Sequence, residues 1–214
     1  MIYLKQSFNI HPASPATRDR FVEVVEKDAL PAGERLGARL MGAWFCHEEW
    51  FSQIVHVSEF DDLAALGTWR DATRADEQAS AAVSRLEELA PDRRVELLEP
   101  LGPIPVSSLQ DAVEASRAEP VGAYSFAILE VAPGRMEQFA SLLASAKDAL
   151  PIVACWRDLS GNPDRIIDLW KSDTGRFGYR PSDERENAFF EPLRQIAPRE
   201  RMMRLHPLPY SPLR

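Results

Sequence analysis

His56 and Asp168 are the residues whose type and position best suit chemistry in this 214-residue chain. Each lies inside a short apolar segment, Gln-Ile-Val-His-Val-Ser-Glu around His56 and Arg-Ile-Ile-Asp-Leu-Trp around Asp168. Strand alternation predicts that both side chains point away from the helices, into an inner cavity. A His and a carboxylate in one pocket of low dielectric have tunable pKa values, which suits general acid–base catalysis. A half-buried His bonded to a strand neighbour would need no such function, and both interpretations stay open.

Aromatic and basic side chains on neighbouring strands are the candidates for holding a substrate. Tyr3 and Tyr124 could each offer a phenol to a bound molecule, and Arg157 could hold an anionic group. Tryptophans could form the walls of a pocket, although core packing is the commoner role of large aromatics. The predicted substrate-binding residues are Tyr3, Trp44, Tyr124, Phe126, Trp156, Arg157 and Trp170.

No spacing in the sequence points to a metal or an organic cofactor. Cys46-His47-Glu48-Glu49 places four possible ligands side by side, but neighbours on an extended chain point in opposite directions. Cys-x-x-Cys, His-Glu-x-x-His, Gly-x-Ser-x-Gly and phosphate-binding glycine loops are all absent. The sequence therefore predicts a site without metal or cofactor.

The elements that position these residues occur twice, because the chain is a duplication. The segment 27–31, Lys-Asp-Ala-Leu-Pro, recurs unchanged at 147–151, and Gly-Ala-Trp at 42–44 aligns with Ala-Cys-Trp at 154–156. The offset between the copies falls from 120 to 112 and then to 107, so a few insertions separate them. His56 and Asp168 are corresponding residues in this alignment.

Each copy follows the order strand, helix, strand, strand, helix, strand, which is that of a ferredoxin-like unit. In the first copy Ser14 as N-cap and Pro15 at the first helical position mark the start of a helix. Its predicted strands are 3–10, 41–46, 53–59 and 95–98, and its predicted helices are 15–30 and 63–89, the latter broken near Thr68. In the second copy the strands are 122–131, 153–157, 165–170 and 202–205, and the helices are 136–150 and 183–196.

A four-stranded sheet with helices on one face must bury its other face. Two such units predict an α+β fold, in which the bare sheet faces pack face to face as an intrachain α/β barrel. The predicted domains are a first half over 1–103, a linker over 104–120 that contains a short helix over 107–117, and a second half over 121–214. The barrel can close within one chain, and exposed sheet edges could still pair two chains, so monomer and homodimer both stay open.

This order of elements resembles the dimeric α/β-barrel superfamily and, within it, NIPSNAP-like domains. The resemblance rests on a Gly-x-Trp in the second strand and on an apolar strand followed by an aromatic residue and an acid. The first copy carries Gly42, Trp44, His56, Phe60 and Asp61. The second copy carries Trp156, Asp168, Trp170 and Asp173, and it departs from the pattern at the His. These motifs specify the fold far better than an activity.

Relatives in this superfamily include haem degraders, whose axial His lies on a helix, and none of the four histidines here lies in a predicted helix. Other relatives act without a cofactor on aromatic or polyketide-like molecules. The resemblance therefore favours a cofactor-independent enzyme that isomerises, cyclises or dehydrates a hydrophobic natural product, with His56 and Asp168 moving protons. The alternatives are a non-enzymatic barrel that binds a ligand or a protein, and a cofactor-free monooxygenase.

Composition narrows the class of partner. The net charge of −8 and the absence of a long basic cluster exclude nucleic acid and anionic membrane surfaces as expected partners. No apolar run reaches the length of a membrane span, the start lacks signal-peptide features, and two cysteines make no disulfide framework, which predicts a cytoplasmic protein. The 21 arginines against 4 lysines are typical of a GC-rich bacterial genome. The expected partner is a small hydrophobic molecule.

Overall fold

A computed structural model describes residues 1–172 and 184–214 of the chain. Asp173, which belongs to the family pattern, and Asp183, the predicted first residue of the last helix, lie outside the described residues. The described chain divides into two compact units, one formed by Met1–Leu97 with His206–Arg214 and the other by Leu98–Leu205.

The first unit holds a sheet and the helices of the first copy. Its strands are β1 (Ile2–Asn9), β2 (Arg39–Cys46), β3 (Gln53–Phe60), the first part of β4 (Asp92–Pro100) and the end of β8 (Arg199–Pro207). Its helices are α1 (Pro15–Val24), a π-helix (Val25–Ala29), α2 (Leu30–Arg35), α3 (Leu63–Ala75) and α4 (Glu77–Leu89). β3 pairs antiparallel with both β1 and β2.

The second unit repeats this arrangement. Its strands are β5 (Tyr124–Glu130), β6 (Ile152–Asp158), β7 (Arg165–Lys171), most of β8 and the end of β4. Its helices are α5 (Ser107–Ala118), which is the predicted helix of the linker, α6 (Met136–Ala146) and α7 (Glu184–Ile196). β7 pairs antiparallel with both β5 and β6, as β3 does with β1 and β2.

Hydrogen bonds link the eight strands in the closed order β1-β3-β2-β8-β5-β7-β6-β4. This order and the βαββαβ succession of each copy confirm the predicted α+β fold class of an α/β barrel. None of the described helices combines the length and the apolar character that crossing a membrane requires.

The first helical segment continues beyond its predicted end. Ser14 caps α1 as expected, its Oγ accepting a hydrogen bond from the Thr17 amide at 3.1 Å. The chain does not leave the helix before Pro31, however, but passes through the π-helix into α2. Because Pro31 has no N–H to donate back into the preceding turn, the bonding pattern changes there, and the Leu30 amide instead bonds the Val25 carbonyl.

The second helical segment of the first copy breaks at Asp76 and not at the predicted Thr68. Asp76 is extended, with φ −84° and ψ 119°, and its Oδ1 accepts a hydrogen bond from the Ala79 amide at 2.8 Å. The side chain of Asp76 therefore caps α4. Gly67 and Thr68 lie inside α3, because one glycine within a helix is tolerated at a modest cost in stability.

A bulge occupies the same position in both copies. The register shifts between Leu40 and Gly42 in β2, and between Ile152 and Ala154 in β6. Gly42 then lies under the ring of the buried Trp44, where an added Cβ would stand 2.2 Å from the indole carbons. The Gly-x-Trp pattern of the first copy therefore has a packing reason.

Candidate active site under the helices of the first unit

The strand register places His56 on the face of the sheet that carries the helices. Its cross-strand neighbours are Gln6 on β1 and Ala43 on β2. The imidazole packs edge-on to Phe8, with ring centroids 5.2 Å apart, and lies 6.2 Å from the ring of Phe21 on α1. The prediction that His56 points away from the helices is therefore wrong.

The error has a physical reason. β3 is buried along nearly its whole length, so both of its faces are covered. Val55 and Val57, which alternation assigned to the helices, lie on the opposite face from His56. When both faces of a strand are buried, the alternation of apolar and polar residues no longer tells which face meets the helices.

Tyr3 and Trp44 also lie on the face opposite to His56, since both share the register of Val55 and its neighbours. The Tyr3 hydroxyl donates a hydrogen bond to Glu59 Oε2 at 2.6 Å. Burial raises the pKa of Tyr3 to about 12. Trp44 is fully buried. The structure therefore does not bring these two predicted binding residues together with His56.

His56 is bonded to a residue that the sequence analysis missed. Its Nε2 lies 2.8 Å from the Tyr210 hydroxyl, and the two rings are perpendicular. Burial lowers the pKa of His56 to about 3, so the imidazole is neutral at neutral pH. Burial also raises the pKa of Tyr210 well above its usual value, so the phenol keeps its proton.

These protonation states assign the tautomer of His56. Among the described residues Tyr210 has one hydrogen-bond partner, the Nε2 of His56. A buried hydroxyl that fails to donate is costly, so we assign the Tyr210 O–H as donor and Nε2 as acceptor. The imidazole proton is then on Nδ1. This N–H has no hydrogen bond to any described residue.

The C-terminal tail, 208–214, holds Tyr210 in place. Ser211 Oγ accepts a hydrogen bond from the Ala43 amide at 2.9 Å, and the Leu208 amide donates to the Ala43 carbonyl at 2.9 Å. The tail is thus fixed to the cross-strand neighbour of His56. Tyr210 is 154 positions from His56 in the sequence. It follows the last strand, so the alternation of residues along strands says nothing about its position. Its one signal was the apolar character of Leu208, Tyr210 and Leu213 after the last strand.

A cavity of about 130 Å³ adjoins His56. Its floor is the sheet and its walls come from the helical segments, so it lies wholly within the first unit. Val25 and Ala29, the two ends of the π-helix, both line it, and π turns are frequent at functional sites. The lining includes Gln6, Phe8, Val25, Ala29, Leu30, Gly33, Glu34, Leu40, His56, Ser58, Trp69, Thr73, Val83, Leu86, Glu87 and Arg93.

A groove of about 680 Å³ adjoins this cavity. Trp69, Thr73 and Val83 line both spaces, which places the groove next to the cavity along α3 and α4. The Nε1 of Trp69 is buried and has no acceptor among the described residues. The cavity thus combines apolar walls with the polar side chain of His56, and such a site can bind an oxygen atom of a small apolar molecule.

Asp168 lies in the corresponding position of the second unit, and it too faces the helices. It shares its sheet face with Ile166 and Trp170, which pack in the apolar core with Phe139 of α6 and Leu193 of α7. The prediction of an inward-facing Asp168 is therefore wrong for the same reason as for His56. Each of the two residues lies in the core of its own unit with its own partner.

The Asp168 carboxyl titrates at a higher pH than an ordinary aspartate. The Cys155 thiol is hydrogen-bonded to it, and its Oδ1 has no partner among the described residues. Burial, with a smaller contribution from Glu200, raises the pKa of Asp168 to about 7.

The remaining predicted residues divide between the two faces of the second unit's sheet. Tyr124, Phe126 and Trp156 lie on the face opposite to Asp168, with the Phe126 and Trp156 rings 6.4 Å apart. Burial raises the pKa of Tyr124 to about 12. Arg157 donates from Nε to the Pro163 carbonyl at 2.8 Å, which fixes it to a turn.

The residues with possible metal-binding side chains have other partners. Cys46 donates to Gln53 Oε1 at 3.0 Å, and a ring nitrogen of His47 lies 3.0 Å from the Phe51 carbonyl oxygen. Within residues 1–172 and 184–214, no three His, Cys, Asp or Glu side chains are grouped so that they could hold a metal ion.

Several solved structures share this fold over nearly the whole chain. A monooxygenase-like protein of Fusobacterium nucleatum matches with 9% identity and a TM-score of 0.62, over 97% of this chain and 92% of its own. A similar protein of Lactobacillus acidophilus matches with 15% identity and a TM-score of 0.60, over 96% and 93%. An anthrone oxidase-like protein matches with 12% identity and a TM-score of 0.58, over 99% and 93%. At these identities the likeness concerns the fold alone.

Sequence comparison is more specific for the first copy. No curated protein matches the chain. The NIPSNAP family model matches residues 8–101, which include β3, His56 and the walls of the cavity. The resemblance to NIPSNAP-like domains inferred from the sequence is therefore confirmed, and residues 8–101 are the part of the chain that matches the NIPSNAP family.

Proposed function

We propose that the first unit is the site of an acid–base enzyme that acts on a small hydrophobic carbonyl or phenolic compound. The observation that supports this most directly is the His56–Tyr210 pair beside an apolar cavity, because this pairing leaves a neutral imidazole with one N–H group to donate. A neutral imidazole donor polarises a carbonyl oxygen and stabilises the enolate that forms when an adjacent carbon loses a proton. The carboxylates of Glu34 and Glu87, which also line the cavity, supply proton acceptors.

In this proposal the role of His56 changes from a general acid or base, as the sequence suggested, to a hydrogen-bond donor. A group whose pKa is about 3 is a weak base at neutral pH, but the N–H of its neutral form is still a good hydrogen-bond donor there. Tyr210 acts as a positioning residue, because it keeps the proton on Nδ1. Asp168 and the other predicted binding residues take no part.

The size of the cavity limits the reacting part of the substrate. A cavity of about 150 Å³ suffices for benzene in a well-studied engineered case, and the present one is close to that volume. We therefore propose that one aromatic ring or a short branched chain enters it, as part of an aromatic or polyketide-like natural-product intermediate in a bacterial cytoplasm.

Proton exchange of a model ketone tests the proposal. We expect the protein to accelerate exchange of the methyl protons of acetophenone with D2O, followed by NMR. The His56→Gln variant should lose this acceleration, while Tyr210→Phe should reduce it and move its pH dependence. His206→Gln, which changes an exposed histidine, is the matched control. An exchange rate equal to that of buffer, although acetophenone binds, would refute the enzymatic proposal.

That last outcome would favour the alternative of a non-enzymatic ligand-binding domain. A third candidate, cofactor-free oxygenation, draws support from the fold shared with the monooxygenase-like and anthrone oxidase-like proteins. Such a reaction requires a substrate whose own enolate or phenolate reduces O2. An oxygen electrode distinguishes it, because acid–base chemistry alone consumes no O2.

A further inference from the structure

We infer that the groove beside the His56 cavity binds a carboxylate, so that the ligand is a small amphipathic acid with its apolar end in the cavity. This inference rests on the proposed function and specifies the substrate class of the same site. It follows from the charges that line the groove and from the pairing of those charges.

The groove is positively charged in a negatively charged protein. Arg70, Arg74 and Arg93 line it against one carboxylate, that of Glu87. The whole chain has a formal net charge of −8. A cleft that concentrates the minority sign of charge between low-dielectric walls attracts ligands of the opposite charge.

The arginines of the groove are poorly paired within the protein. Arg70 has no ion pair or hydrogen bond among the described residues. Arg74 Nη1 lies 3.7 Å from Asp71 Oδ1, and Arg93 Nη2 lies 3.9 Å from Glu87 Oε1. Both distances exceed those of charge-assisted hydrogen bonds, so the guanidinium groups keep donors for a ligand.

The spacing on α3 places two of these arginines side by side. Arg70 and Arg74 are one helical turn apart, so one ligand carboxylate can contact both. The residues just before them, Trp69 and Thr73, line both the groove and the cavity. One face of α3 therefore leads from the apolar cavity to the two guanidinium groups.

A carboxylate suits these groups better than a neutral polar end. Guanidinium groups bind carboxylates through two parallel hydrogen bonds, and a neutral hydrophobic ligand would leave them unused. The apolar residues Phe8, Leu30 and Leu86 of the cavity would hold the other end of the molecule. The ligand class is thus an aryl or alkyl acid whose two ends are separated by a short chain.

Paired titrations test the inference. We would measure the dissociation constants of phenylacetate, 3-phenylpropionate and 4-phenylbutyrate, and of the corresponding phenyl alcohols, by calorimetry. We expect at least one acid to bind about tenfold more tightly than its alcohol, and the ratio of the two dissociation constants to decrease at high salt. The double variant Arg70→Gln/Arg74→Gln changes two residues that line the groove and not the cavity, so it should lose the preference and leave alcohol binding within about twofold.

Two further variants separate the possible failures. Arg20→Gln removes an exposed arginine of α1 that lines neither space and should change nothing. Gly33→Leu fills the cavity from α2, where an added Cβ would meet only Ala38 at 3.8 Å, and should weaken acids and alcohols alike. Equal binding of acids and alcohols by the natural protein would overturn the carboxylate site, but the proposal that the cavity binds an apolar group would stand. Absence of binding by both, or binding unaffected by Gly33→Leu, would overturn the inference together with the proposed function.

Discussion

Acidification should destabilise the first unit through His56, and substitution of this one residue should remove that part of the pH dependence. Burial lowers the pKa of His56 to about 3 in the folded protein, against about 6.5 when the chain is unfolded. Below pH 6.5 the unfolded chain gains a proton that the folded protein does not take up. The stability contributed by the neutral imidazole is therefore complete above pH 6.5 and is lost as the pH falls towards 3.

The size of the effect follows from these two pKa values. Between pH 7 and pH 5 the unfolded state gains about 2 kcal/mol relative to the folded state through His56 alone. Carboxylates such as Asp76, whose hydrogen bond with Arg35 lowers its pKa to about 2, add their own loss at lower pH. The contribution of His56 is therefore best measured as a difference between two proteins at each pH.

Urea unfolding at pH 7 and pH 5 measures this difference. The variant His56→Gln does not titrate, and its amide oxygen can accept the hydrogen bond of the Tyr210 hydroxyl. Its free energy of unfolding should therefore fall less than that of the natural protein, by about 2 kcal/mol. His206→Gln, in which an exposed histidine is replaced, should behave like the natural protein. Equal losses of stability in His56→Gln and the natural protein would refute the assignment of a buried, neutral His56.

Three further substitutions test the packing and the electrostatics, each by urea unfolding. Asp168→Asn should raise the free energy of unfolding at pH 8 by up to about 4 kcal/mol. The reason is that the pKa of Asp168 is raised to about 7, so the natural protein loses stability between pH 4 and pH 7 as this carboxyl ionises. At pH 4 the gain should vanish. A gain that persists at pH 4 would contradict the raised pKa. Gly42→Ala should cost about 3 kcal/mol, since its Cβ would overlap the buried Trp44 ring, and an unchanged stability would mean that the ring moves freely. Gly67→Ala should stabilise α3 by about 0.5–1 kcal/mol, because nothing lies within 4 Å of its Cβ, and a loss would show strain that the helix does not suggest.

The fold could be predicted from the sequence because the duplication shows the sequence pattern of each element twice. The strand bounds differ by a few residues, and Gly-Ala-Trp at 42–44 and Ala-Cys-Trp at 154–156 lie in corresponding strands. The block Lys-Asp-Ala-Leu-Pro, in contrast, is helical at 27–31 but follows the end of α6 at 147–151. The bulges of β2 and β6 left no signal in the alternation, although they occupy equivalent positions. The continuation of the first helical segment past Pro31 required a local change to π-type bonding, which sequence signals for helix ends do not describe.

The candidate site was predictable only in part, for reasons of burial and distance along the chain. His56 stood out because a polar residue inside an apolar strand must find a partner. Its face could not be predicted, because β3 is covered on both sides. Tyr210 could not be paired with it, because the tail reaches Ala43 through hydrogen bonds of Leu208 and Ser211 that follow no repeating pattern.

The ring ¹⁵N NMR spectrum of His56 at pH 7, recorded without and with acetophenone, tests the central claim most directly. The structure predicts a neutral imidazole with its proton on Nδ1, and a shift of the Nδ1 signal when the ketone oxygen accepts this proton in a hydrogen bond. The same spectrum of Tyr210→Phe should show the proton distributed between the two nitrogens. A proton on Nε2 in the natural protein, or a spectrum that saturating ketone leaves unchanged, would contradict the account.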